Sequence, residues 1–161
     1  MEYIRRDYYE TLYGEIDEKI FNRLSWDACR LLDKHTTGID NVKKLKVAFP
    51  TDSDDAEIVK RCACALVQFL NAVESAEKSA MEMAGFEDTE QGMRGKVVSS
   101  ITSGNESISY TTAKAETSVY AAVKSKQEKD LAIRNMIREY LSGVTDANGV
   151  NLLYMGRYPR V

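Results

Sequence analysis

Cys62-Ala63-Cys64 is the first pair of residues in the chain whose chemistry could matter, as metal ligands or a redox couple. On a helix, residues two apart point about 200° away from each other, so these thiols cannot grip one ion. Free cysteine is commonly a small buried hydrophobe, and that reading suits both of them and Cys29. His35 is the only histidine, so a Ser/His or Cys/His mechanism has one possible base. It falls at the end of an apolar helical stripe, where an imidazolium would suit the negative helix end and cap its carbonyls. Asp52, Asp54 and Asp55 resemble ligands for a hard cation, but they precede a helix start, where carboxylates act as caps. Ser103-Gly104-Asn105-Glu106 has neither glycine-rich phosphate fingerprint. Lys43, Lys44 and Lys46 form the densest positive cluster, read as a solvated loop or, alternatively, as a backbone contact of a small helical nucleic-acid-binding adaptor. Nothing assembles a nucleophile, a base and an oxyanion donor. The chain is expected to be no enzyme, with no catalytic residue, cofactor or metal.

The elements that would position these residues are mostly helical. Ile20, Phe21, Leu24, Ala28, Leu31, Leu32 and His35 recur at helical spacing, which predicts an amphipathic helix from about Asp17 to His35, with Asp17 as N-cap. Before it, Asp7 to Gly14 can form a short helix ended by Gly14. Its tyrosines Tyr8, Tyr9 and Tyr13 must cover the domain's own core or a subunit contact. The stretch from Thr36 to Asp52 reads as a connecting loop. A second helix starts near Ser53 or Asp54, where Asp54-Asp55-Ala56-Glu57 has the form of a capping box, and runs to about Met83. Its stripe of Ile58, Cys62, Ala65, Leu66, Phe69 and Val73 fades toward the end, so the last turns are expected to project from the core. Ala84 to Gly95 reads as a flexible connection. Val97 to Thr102 and Glu106 to Thr112, around Gly104-Asn105, alternate like a β-hairpin. A third helical region is expected from about Thr117 to Leu141, interrupted or solvated over Lys124 to Asp130 and stopped by Gly143. The apolar segment from Gly149 to Val161 suggests docking, since chain ends fray unless tied down. The fold expected is a mainly α, bundle-like single domain of three principal helices plus one hairpin, with residues 142–161 as an extended tail.

Composition agrees with this outline. The 161 residues are 43% hydrophobic and 29% charged, and 22 Lys+Arg against 25 Asp+Glu leave a net charge of -3. A chain this long can bury roughly 70% of its unfolded surface, so a core without staples is feasible. Nine Gly and two Pro are too few to punctuate a sandwich of many short strands. Near-balanced charge argues against a protein that coats nucleic acid. No apolar run reaches the ~18 residues of a membrane span, and the opening residues lack the apolar region of a signal peptide. An odd number of cysteines favours a reducing compartment and folding in a cytoplasm.

Several ordered segments resemble the small head-tail connector (adaptor) proteins of tailed bacteriophages and prophages. The likeness runs through Tyr8-Tyr9-x-x-x-Tyr13-Gly14, Phe21-x-x-Leu24, the helix end from Ala28 to Thr36, and Val59-Lys60-x-x-x-Cys64-Ala65-Leu66. It is strongest in Ser100-Ile101-Thr102-Ser103-Gly104-Asn105-Glu106-Ser107-Ile108-Ser109-Tyr110, similar to the family's S-E-S-x-G-D-x-S-V-S-Y. Tyr140-Leu141 and Leu152-Leu153-Tyr154-x-Gly156 are similar to its closing Y-L and G-L-L-Y-R-G. Met155 and Asn151 stand where that pattern has Arg and Gly, and Ser142 to Val150 is expanded. The order of the matches along nearly the whole chain, rather than any single match, carries the likeness.

The resemblance implies a virion protein at the head-tail interface, assembled in the host cytoplasm. It would form a ring of about twelve copies between the portal protein and a tail-completion or stopper protein, with a channel for DNA. Rings use heterologous interfaces, in which one patch meets a different patch on the neighbour. The hairpin residues Ile101, Gly104, Asn105, Ile108 and Tyr110, the tyrosines Tyr8, Tyr9 and Tyr13, and the tail residues Leu152, Leu153, Tyr154 and Arg157 are the expected contacts. On this reading, deleting Leu152 to Val161 leaves a folded helical monomer that cannot join heads to tails.

Overall fold

The computed structural model describes residues 3–83, 86–89, 92–95 and 125–159. Its helices are α1 (Arg6–Tyr13), α2 (Glu18–Thr36), α3 (Lys44–Val47), α4 (Ser53–Met83) and α5 (Lys126–Leu141), with strands β1 (Phe86–Thr89) and β2 (Gly92–Gly95) between the last two. The mainly helical expectation holds for these residues.

Helix α1 ends at Gly14, whose φ of 88° is open to glycine and whose N–H donates to the Glu10 carbonyl. Helix α2 starts where expected, because the Asp17 carboxylate accepts from the N–H groups of Lys19 and Ile20. The start of α4 is capped differently from the expected box. Asp52 accepts from the N–H groups of Asp54 and Asp55, at 2.9 and 3.1 Å. Asp55 and Glu57 are thereby free for tertiary bonds. Asp55 accepts from the N–H and hydroxyl of Thr145, and Glu57 takes the Tyr8 hydroxyl and the Arg61 guanidinium.

Helix α4 is the central post, with α2, α5 and α1 around it. It buries Val59, Cys62, Ala63, Cys64, Leu66, Val67 and Leu70, a wider band than one stripe, because neighbours cover it on more than one side. Leu24, Ala28 and Leu32 of α2 and Ile133, Ile137 and Leu141 of α5 fill the space against it. No residue of α4 past Val73 is buried among the described residues. Residues 74–79 leave the core as expected, and an exposed bidentate pair joins Arg23 of α2 to Glu74 at the start of this stretch.

Three expectations are corrected. Thr36 to Asp52 is not wholly loop, since Lys44–Val47 makes one helical turn. Of the two readings of the polar run before Leu131, solvation holds and interruption falls: its described residues are mostly exposed and open α5, with Ser125 as N-cap accepting from the Gln127 N–H. The segment read as a flexible connection carries the antiparallel ladder of β1 and β2, pairing Phe86 with Gly95 through Thr89 with Gly92. Its glycines and charges have no apolar alternation, so no periodicity could announce it. The expected hairpin from Val97 to Thr112 and the helical turns before Ser125 lie outside the described residues. No helix among the described residues is long and apolar enough to cross a membrane.

Candidate functional site

The tail docks, and it docks onto its own chain. Thr145 and Asn151 form an isolated antiparallel bridge, and the Leu152 N–H donates to the Val144 carbonyl at 3.0 Å. Leu152 is fully buried and Leu153 packs against the same core. Beyond them the chain runs beside the loop after α2. The Ile39 N–H donates to the Met155 carbonyl at 3.0 Å, and the Tyr158 N–H to the Asp40 carboxylate at 2.7 Å. Tyr158 closes the corner by donating its hydroxyl to Asp146, 2.6 Å away. Burial and that carboxylate both push the Tyr158 phenol up. A Cβ on Gly38 would collide with the Gly156 carbonyl oxygen, so the two backbones approach this closely only because residue 38 is glycine.

Lys44 holds this arrangement from below. It is fully buried, and its ammonium donates to the carbonyl oxygens of Asn151, Leu152 and Tyr154. Burial pushes its pKa down, while Asp146 and Asp40 oppose that shift. The basic cluster is therefore dispersed. Lys44 is inside, Lys46 pairs with the buried Asp33 at 3.1 Å, and Lys43 alone of the three is exposed without an ion pair among the described residues.

Two of the three tyrosines of α1, Tyr8 and Tyr9, also face inward. Tyr9 is buried, donates to Gln68 at 2.6 Å, and stacks on Tyr13 at 5.3 Å between ring centres. Tyr8 donates to Glu57, and burial followed by that bond pushes its phenol up to about 12. Tyr13 is the most exposed of the three. Ile101, Gly104, Asn105, Ile108 and Tyr110 lie outside the described residues.

Cys29, Cys62 and Cys64 are buried, and burial pushes the Cys62 and Cys64 thiols up to about 12. Thiolates are then scarce near neutral pH. His35 lies in the last turn of α2, but the end of that helix is capped by Thr36 and Thr37, whose hydroxyls donate to the carbonyls of Leu32 and Asp33. Burial first, then Lys34 and Arg134, push the His35 pKa down, which works against the expected imidazolium cap.

No family model, curated protein or solved structure matches the chain. The surface itself must speak for what the chain does.

Among the described residues that surface exposes large apolar side chains at several places, and two of them carry the most exposed ones. At the tail, Ile39 is 76% exposed, Met155 58% and Tyr154 51%, with exposed Arg157 beside them. On the outer face of α2, Trp26 is 63% exposed under the Arg30 guanidinium, 5.2 Å from its ring centre. Trp26 lies off the apolar stripe of its helix, a signal the sequence carried but which is easily passed over. Ile39, in an aperiodic loop, offered none. Between α2, α5 and the tail lies a cleft of about 460 Å³ lined by His35, Arg134, Ile137, Arg138, Leu153 and Met155.

Proposed function

We propose that the chain is a structural head-tail connector, a ring-forming adaptor under the portal that joins a DNA-filled head to a tail. The observation that carries this reading is the cluster of Ile39, Tyr154 and Met155. These are large apolar side chains left exposed on backbone that hydrogen bonds tie down. Rigid exposed apolar patches are what protein contacts use. The ordered resemblance along the chain supports the connector class. The partners on this reading are other copies of the chain, about twelve to a ring, with the portal protein on one side and a stopper or tail-completion protein on the other. DNA would pass through the channel without sequence-specific contact. A net charge of -3 per copy gives a ring that repels rather than grips DNA on average, which suits a conduit.

The test is mass measurement by light scattering with negative-stain imaging of the chain, alone and with portal-bearing heads. A ring on the portal vertex is expected. Heads that acquire tails equally well without the protein would refute the reading.

A further inference from the structure

The cleft between α2, α5 and the tail combines cations with an apolar floor. Arg134 and Arg138, one helical turn apart on α5, are both exposed and have no ion pair among the described residues. Ile137, Leu153 and Met155 supply the floor, and no carboxylate lines it. Such a groove suits a segment that presents carboxylates around apolar side chains.

The same chain has that segment elsewhere. The corner between α1 and α2 exposes Leu12, Tyr13 and Ile20, and between them run Glu15, Asp17 and Glu18, all exposed and without an ion pair among the described residues, with Lys19 the one cation. A protomer cannot bring this corner into its own cleft. Ile20 and His35 are separated along α2 by roughly 22 Å at 1.5 Å per residue. Tyr140, which neighbours Tyr13, points about 200° around α5 from the cleft residue Arg138.

We propose that the acidic, apolar corner of one copy docks into the basic, apolar cleft of another. The contact is heterologous, two different patches at opposite ends of one helix, and so propagates from copy to copy as a ring requires. The pairing deepens the connector reading and rests on it for its biological setting, while its chemistry stands on charge and exposure alone.

Light scattering over a concentration series tests it with two charge-reversed forms, Arg134→Glu/Arg138→Glu and Glu15→Lys/Glu18→Lys. Each form alone should self-associate at least about tenfold more weakly than the unaltered chain, because like charges then face each other. An equimolar mixture of the two should associate again, since every junction once more joins opposite charges. All four positions are exposed, so helicity by circular dichroism should be unchanged; Arg134→Gln/Arg138→Gln serves as the milder second variant. An unaltered chain that stays monomeric to its solubility limit, reversed forms that associate as it does, or a mixture that fails to recover would each overturn the proposal. Head-tail joining separates the two readings. If Arg134→Glu/Arg138→Glu joins heads to tails normally, the interface is wrong and the connector stands. If association is lost and rescued by charge swap in a protein that joins nothing, the interface stands and the connector reading falls.

Discussion

The ammonium of Lys44 lies 2.9 Å from the carbonyl oxygen of Leu152, 108 residues later in the chain, and both residues are completely buried. A buried cation is costly unless hydrogen bonds replace its water. Here the carbonyls of Asn151 and Tyr154 complete the set, with the Tyr154 ring 5.8 Å away. One side chain on a single helical turn thus fixes the path of the tail and the placement of the aromatic residue it exposes.

Replacing Lys44 with Met should therefore unpin the tail. The substitution keeps most of the apolar volume and leaves three carbonyl oxygens without this donor, at a cost of about 2–4 kcal/mol. Urea unfolding should show a lower midpoint with an unchanged slope, and amide exchange should accelerate first around Leu152. An unchanged midpoint would mean that water replaces the ammonium without penalty.

Truncation of the tail is a poor test of partner binding, contrary to the expectation from sequence. Leu152 is a core residue, so Leu152→Ala alone should cost about 2–5 kcal/mol, and loss of the whole tail more. Ile39→Ser with Met155→Ser removes exposed apolar surface and leaves the Tyr154 ring beside the Lys44 ammonium in place. It should change stability by no more than about 0.5 kcal/mol while weakening assembly. Equal loss of stability and assembly in that double variant would mean these side chains serve the fold rather than a partner.

The helical skeleton was legible because its signals are local. Asp17 and Gly14 end elements by their own chemistry, and Phe21, Leu24, Ala28 and Leu32 repeat at the period that buries them. What was hidden depends on partners distant in sequence. Nothing near Lys44 foretells the tail carbonyls that receive it, nor does Asp55 announce Thr145. The same holds for surfaces. The tail's stickiness was readable, but whether Leu152 met its own core or another subunit depended on the groove beside α3 and α5. Arg134 and Arg138 showed their shared face by spacing, yet only the arrival of His35 and Met155 beside them makes a cleft.

Thiol reactivity offers an independent check of the core. Cys62 and Cys64 are fully buried on the central helix with thiols pushed up to about 12 by burial. The folded protein at neutral pH should react with a thiol-specific reagent only as fast as it opens, and all three cysteines should react at once in denaturant. Rapid labelling of either residue in the folded state would contradict the packing of α4.

Alkaline pH should loosen the N-terminal segment in a defined window. The Tyr3 hydroxyl donates to the buried Asp33 at 2.5 Å, and burial, then that carboxylate, hold its phenol above its ordinary value of 10.0. Below that value both folded and unfolded chains keep the proton, and the bond contributes fully. Above it the unfolded chain ionises first, the folded state binds more protons, and stability falls as pH rises. Tyr8, held up to about 12, adds a loss of the same sign over its own window. Lys44 acts oppositely, since its lowered pKa means the unfolded chain holds the extra proton below 10.5. Tyr3→Phe isolates the first of these effects. The variant should be less stable than the unaltered chain at neutral pH, and the gap should narrow between about pH 9 and 11. A gap that stays constant across that range would show that Tyr3 ionises alike in both states and that Asp33 does not hold its proton.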